Sequence, residues 1–155
     1  SKIPFDMLYG PAYKGIPLVS SIVIAFASLG RNVPFAFNRK EKKDHGEGGV
    51  IIGTPLKGRV LIVDDVISAG TSVNESVNII LEEGAKSSGV AISIDREEKG
   101  TGLLSAVEEI KETHHLPICH LTSLQEIMRY IEHHKTYASH MGAMRVYQKE
   151  YGIKA

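Results

Sequence analysis

The sequence predicts an α/β fold, a mostly parallel sheet flanked by helices. Three observations carry this. The run Val60–Val63 is wholly aliphatic and is bounded by Gly58 and by Asp64-Asp65, the composition of a strand covered on both faces. Similar short apolar runs alternate along the chain with stretches of helical periodicity, the pattern that builds crossover connections. The 155 residues fit a single domain, residues 1–155. A domain of that size buries roughly 70% of the surface its unfolded chain exposes, so a real core is available.

In chain order, Phe5 to Leu8 is a strand tip that ends at Gly10-Pro11, and Gly15 to Leu29 reads as a buried helix stopped by Gly30. Val33 to Phe37 is a short strand. Arg39 to Gly49 has no apolar residue and reads as a solvated loop, after which Val50 to Ile52 adds a strand of a hairpin with Arg59 onward. Ser72 to Glu83 is a helix opened by a capping box of Ser72 with Glu75, with Val73, Val77, Ile80 and Leu81 as its stripe and Gly84 at its end. Gly89 to Ile94 is a buried strand, and Leu103 to Ile110 a helix with Leu103, Val107 and Ile110 inward. Ile118 to Leu121 is a strand, and Ser123 with Glu126 caps a helix to about His133. An amphipathic helix over Tyr137 to Tyr151 closes the series.

Composition narrows the function. With 43% apolar and 23% charged residues and a mean hydropathy of −0.05, the chain is neither disordered nor collagen-like. Eighteen Lys and Arg balance eighteen Asp and Glu, which argues against wholesale capture of nucleic acid or anionic membrane. An anion site must therefore be a local cluster. Cys119 is the one cysteine, so no intrachain disulfide forms, and a reducing compartment is the simpler reading. The longest apolar stretch, Ile16 to Leu29, is 14 residues and is interrupted by Ser20 and Ser21, too short for a bilayer. The sequence opens Ser-Lys-Ile-Pro without an initiator Met, so its first residue is not read as a natural start.

The most informative segment is Val60-Leu-Ile-Val-Asp-Asp-Val-Ile-Ser-Ala-Gly-Thr-Ser72. An aliphatic strand runs into two carboxylates, a small-residue turn and a helix, and ligands of open α/β sheets bind beyond the carboxyl ends of strands. Ser68, Ala69, Gly70, Thr71 and Ser72 offer successive backbone N–H groups at a helix N-terminus, which suits a phosphate. Thr71 and Ser72 hydroxyls add donors. Asp64 and Asp65 do not serve that phosphate. Carboxylates ~5 Å apart repel by about 3 kcal/mol at an effective dielectric of 20, and sugar hydroxyls with a hard cation offset the repulsion. Acids beside a phosphate cradle describe a phosphorylated sugar; the plainer alternative is a solvated strand end before an ordinary helix cap.

Arg39, Lys40, Lys42 and Lys43 sit with Glu41, Asp44 and His45 in a second cluster, followed by Gly46, Gly48 and Gly49. It reads either as a solvated charged loop or as a lid over a polyanion. Lys14, in Gly10-Pro-Ala-Tyr-Lys-Gly15, is a weaker candidate for a phosphate contact.

LIVDDVISAGTS resembles the phosphoribosyl-pyrophosphate (PRPP) motif of type I phosphoribosyltransferases, and GPAYKG, FNRKEKKDHGEGG and ISIDREEKG together resemble the orotate branch of that family. The likeness spans nearly the whole chain and implies the type I phosphoribosyltransferase fold with a flexible loop. It implies transfer of phosphoribosyl from PRPP to orotate, giving orotidine 5′-monophosphate and pyrophosphate in pyrimidine biosynthesis. By that resemblance Asp64 and Asp65 hold the ribose hydroxyls, with Asp65 near the anomeric centre, and residues Ser68, Ala69, Gly70, Thr71 and Ser72 bind the 5′-phosphate. Tyr13, Lys14, Arg39, Lys40, Lys43 and His45 face the pyrophosphate; Asp65, Lys43 and His45 are the catalytic candidates. Arg96, with Ser68, contacts orotate through a planar fork suited to an anionic base. Mg²⁺ is expected through PRPP and water, with no protein metal site. A cytoplasmic homodimer is implied, with loop 39–49 acting in the partner's site. Relatives are expected to carry an N-terminal hood over orotate, ahead of the residues that match this sequence.

Two alternatives stay open: a purine phosphoribosyltransferase, and a PRPP-binding regulator without turnover. Gly100-Thr-Gly-Leu-Leu-Ser105 lacks the third glycine of a dinucleotide turn and reads as a loop entering a helix. His114-His115 and His133-His134 read as solvated surface, since helix neighbours point ~100° apart and no ligand shell completes them. Cys119 reads as a small core residue on a strand. Ile127, Ile131, Met141 and Met144 read as core or subunit contact.

Overall fold

The computed structural model of the protein describes residues 2–43 and 49–153. Its strands are β1 (Met7–Gly10), β2 (Phe35–Lys43), β3 (Gly49–Gly53), β4 (Arg59–Asp64), β5 (Lys86–Asp95) and β6 (Ile118–Ser123). Its helices are α1 (Gly15–Ser28), α2 (Thr71–Glu82), α3 (Ala106–His114), α4 (Leu124–Glu132) and α5 (Met141–Tyr151), with a 3₁₀ turn at Lys135–His140. The strands form one sheet in the order β3-β2-β1-β4-β5-β6. All its neighbours run parallel except β3, which pairs antiparallel with β2.

Both faces of the sheet are covered, which is why its central strands are continuously apolar. Met7 and Tyr9 of β1, with Val60 and Ile62 of β4, pack on one side with Val73 and Ile80 of α2 and Val107 and Ile110 of α3. The intervening Leu8, Leu61 and Val63 pack on the other side with Val19 and Val33, joined by Leu18, Ile22 and Phe26 of α1. The two-residue period of a strand sorts these side chains between the clusters.

Several local expectations are corrected. Residues 39–43 continue β2 rather than opening a loop, and β3 pairs with β2, not with the strand from Arg59. The pairing is regular as far as Asn38 opposite Ile51 and resumes, after a register shift, at Lys43 opposite Gly49, so backbone pairing at the two ends carries the charged stretch without apolar neighbours. Helix α1 is buried on one face only: Ile24 is 67% exposed, because a single layer of helix covers that side of the sheet. Leu103 is 95% exposed and precedes α3 instead of starting it. Glu109 accepts bonds from the backbone amides of Thr101 and Gly102, wrapping that loop on the carboxylate and turning Leu103 outward. The helix begins after Ser105, which forms a capping box with Glu108. The expected box at Ser123 and Glu126 is present and opens α4. The one at Ser72 and Glu75 is not: α2 starts after Gly70 and has no side-chain cap. Leu81 of its expected stripe is 70% exposed, and Ser76 is buried in its place.

Candidate active site

The site forms where β4 ends. Four aliphatic residues lock the strand between two clusters, so its last residue and the next are held at the rim. Asp64 is 7% exposed. One of its carboxylate oxygens accepts from the Asp65 amide at 2.9 Å and the other from the Ser72 hydroxyl at 3.0 Å. Burial pushes its carboxyl above the ordinary range, and these two bonds oppose the shift. Asp65 differs. Burial acts to raise its carboxyl too, but the Lys14 ammonium, 2.7 Å from Oδ2, and the Val66 amide outweigh it and hold the group below the usual range. The two acids thus avoid full mutual repulsion by leaning on different donors, Ser72 and Lys14.

The turn that follows is anchored by the buried Ile67, while Ser68, Ala69 and Thr71 are exposed. Gly70 takes a left-handed conformation, φ +73°, just ahead of α2. A Cβ there would lie 2.7 Å from Ile110 Cδ1, so glycine is needed both for the backbone and for the contact with α3. The backbone of residues 66–73 lines a hollow of about 220 Å³. The first N–H groups of α2 have no intrahelical partner and no side-chain cap, leaving the helix end as a ready donor for an anion.

A second loop closes on the acids. Gly10 and Gly15 approach so tightly that a Cβ on Gly10 would lie 2.3 Å from the Gly15 carbonyl oxygen. This closeness folds residues 11–14 back and delivers Lys14 to Asp65. The buried Asn38 of β2 accepts from the Ala12 amide at 2.8 Å, tying the same loop to the β2–β3 hairpin. Lys40 Nζ lies 5.3 Å from the centre of the Tyr13 ring. Sequence reasoning missed Asn38, whose only signal is a polar residue inside an otherwise strand-like stretch.

The end of β5 joins from the other side. The Asp65 carbonyl accepts from the amides of Ser93 and Ile94 at 2.9 and 3.2 Å, bringing the strand end that carries Arg96 beside the paired acids. Arg96 Nη2 donates to Glu98 Oε2 at 2.9 Å. The structure therefore links Tyr13, Lys14, Lys40, Asp64, Asp65 and Ser72, with residues 68–71 alongside. Arg39 lines a hollow of about 440 Å³ beside α2, shared with Asn38, Lys40, Glu75 and Asn78. His45 and the side chain of Lys43 lie outside the described residues.

A mostly parallel sheet with a strand that ends in two acids and opens into a small-residue turn suits a phosphorylated sugar, and residues 2–111 match the phosphoribosyl transferase domain family. The chain is 55% identical to an orotate phosphoribosyltransferase of Chromobacterium violaceum, over 99% of this chain and 72% of that protein. The crystal structure of the orotate phosphoribosyltransferase of Francisella tularensis superposes with a TM-score of 0.80 at 35% identity, covering 97% of this chain and 72% of that one. The Mycobacterium tuberculosis enzyme, solved in complex with 5-phospho-alpha-D-ribosyl 1-diphosphate, shares the fold at a TM-score of 0.63 and 23% identity, covering 79% of this chain and 65% of that one. The chain belongs to the orotate phosphoribosyltransferase family. Among the described residues, no helix is long and apolar enough to cross a membrane.

Proposed function

We propose that the chain transfers the phosphoribosyl group of PRPP to orotate, forming orotidine 5′-monophosphate and pyrophosphate. The observation that supports this best is the meeting, at one strand end, of two differently held carboxylates and an uncapped helix N-terminus. That pairing suits a sugar with hydroxyls at one edge and a phosphate at the other. Asp64 and Asp65 accept from the ribose hydroxyls, and Ser68, Ala69, Gly70, Thr71 and Ser72 bind the 5′-phosphate. Lys14 and Lys40, with Tyr13, face the pyrophosphate, and Arg39, Lys43 and His45 complete that cluster. Arg96 and Ser68 receive orotate.

Displacement at the anomeric carbon develops positive charge on the sugar and negative charge on the departing pyrophosphate. Asp65 opposes the first and the lysines the second, so both stabilise the transition state more than the ground state. His45 donates a proton to the leaving group, the imidazole being the side chain that exchanges protons near neutral pH. Asp64 and Asp65 present carboxylate oxygens, the donors a hard cation takes, and no third His, Cys, Asp or Glu stands with them among the described residues. This donor set fits Mg²⁺ carried chiefly by PRPP and water, and when bound the ion neutralises pyrophosphate charge. We read the protein as a cytoplasmic homodimer in which loop 39–49 acts in the partner's site.

The test is turnover of orotate with PRPP and Mg²⁺ to orotidine 5′-monophosphate and pyrophosphate. Turnover of a purine base instead, or PRPP uptake without turnover, would contradict the proposal. Asp65→Asn is expected to lower kcat about 100-fold, the size of a lost transition-state contact, with a small change in PRPP binding. Equal losses in both would contradict the role given to Asp65.

A further inference from the structure

The segment that carries Arg96 is gripped from the C-terminal end of the chain. Glu98 lies at the centre of the grip. Its side chain is 14% exposed and that of Arg96 is 35% exposed, so the pair is largely shielded from water. Oε2 of Glu98 accepts from Arg96 Nη2 at 2.9 Å, and Oε1 accepts from the hydroxyl of Tyr147 on α5. Both carboxylate oxygens are thereby fixed. The backbone is held too: the Lys99 amide donates to the Tyr151 carbonyl at 2.8 Å, and the Ala106 amide donates to the Glu98 carbonyl at 3.0 Å. Glu98 also forms an antiparallel bridge with Gly152.

Anchoring has a consequence for the guanidinium. A free Arg side chain samples many rotamers and loses that freedom on gripping a planar ligand. Arg96 has part of that cost already met, because one nitrogen is tied to a carboxylate that cannot follow it. Nη1 makes no hydrogen bond among the described residues and Nε is buried without a partner, so the guanidinium keeps donors for a ligand while Nη2 is held. The Tyr147 phenol is raised above its ordinary pKa, first by its bond to Glu98 and then by burial, so it stays a protonated donor through neutral pH. Tyr147 also packs against Tyr151, ring centres 4.8 Å apart, which steadies the donor.

Resting on the reading of Arg96 as the orotate contact, we propose that Glu98 and Tyr147 are positioning residues that aim the Arg96 fork, making α5 part of the apparatus that recognises the base. Neither touches the base itself.

The experiment is steady-state kinetics of Tyr147→Phe, Glu98→Gln, Arg96→Ala and the double variant Arg96→Ala/Tyr147→Phe, varying each substrate in turn. Tyr147→Phe removes one hydroxyl and keeps the ring, so it leaves the packing of α5 intact. We expect Tyr147→Phe and Glu98→Gln to raise KM for orotate about tenfold, the scale of one charge-assisted hydrogen bond. KM for PRPP should stay within about twofold, and Tyr147→Phe should add nothing to Arg96→Ala, as for residues acting as one unit. An unchanged orotate KM in Tyr147→Phe, an equal rise for both substrates, or additive losses in the double variant would overturn the proposal. If Arg96→Ala itself leaves orotate KM unchanged, the orotate reading of Arg96 fails first and takes the proposal with it.

Discussion

Ser72→Ala tests what one hydroxyl does for Asp64. In the structure Ser72 Oγ donates to Asp64 Oδ2 at 3.0 Å, and Asp64 is 7% exposed. Burial raises the Asp64 carboxyl, while the Asp65 amide and the Ser72 hydroxyl hold it down. A hydrogen bond to a charged group contributes about 1.5–3 kcal/mol, and this one favours the ionised form. Losing the hydroxyl therefore raises the Asp64 carboxyl further. Asp64 must be ionised to accept from the ribose, so the acid limb of kcat/KM for PRPP moves to higher pH. The Ser72 hydroxyl has one proton, already given to Asp64, so a 5′-phosphate meets the Ser72 amide, which alanine keeps, and the plateau should change little. The assay is the pH profile of kcat/KM for PRPP, which reports groups of the free enzyme. A lowered plateau with an unmoved acid limb would refute the coupling of Ser72 to Asp64.

Gly70→Ala forces a left-handed φ on a residue with a Cβ and drives that atom to 2.7 Å from Ile110 Cδ1. We expect a loss of about 2 kcal/mol and a fall in Tm of about 4–8 °C by calorimetry; an unchanged Tm would contradict the strain assigned to this turn. Asp6 is held at about 2, below its usual 3.8, by Arg59, which bonds its carboxylate through both side chain and backbone. The depressed pKa contributes stability above the ordinary value that is lost as pH falls from about 4 through about 2, so the urea midpoint of Asp6→Asn should fall less over that window than that of wild type. Equal slopes would contradict the pairing. Mixed Lys43→Ala and Asp65→Asn proteins should recover partial activity if the hairpin acts across subunits, and no recovery with subunit exchange demonstrated would exclude that arrangement.

The parts of this fold that read directly from the sequence are those whose signal is local. Val60–Val63 shows its burial on both faces, and Ser123 with Glu126 shows a cap whose two bonds lie within four residues. Readings failed where a partner distant in sequence competes. Ser72 has the spacing of a capping residue, but its hydroxyl finds Asp64, eight positions back and across the strand end. Leu103 looks like the first inward residue of a helix until Glu109 draws the preceding loop around itself. The charged residues 39–43 carry no apolar alternation; they continue β2 across a register shift, joined to β3 by backbone pairing at Asn38 and Lys43 and not by a core.

The site divides the same way. Asp64, Asp65 and the small-residue turn are contiguous, so their chemistry is visible in one stretch of chain. Lys14 is 51 positions from Asp65 and acquires meaning only through the fold that pairs them. Asn38 and the Glu98–Tyr147 contact leave no pattern at all, since each bond joins residues whose spacing, 26 and 49 positions, is set by the packing of whole elements.

The most direct measurement is the position of PRPP in a crystal of this protein soaked with the compound and Mg²⁺. The account predicts ribose hydroxyls within hydrogen-bond reach of the Asp64 and Asp65 carboxylates and the 5′-phosphate on the amides of residues 68–72. A sugar seated elsewhere, or a 5′-phosphate away from the N-terminus of α2, would contradict it.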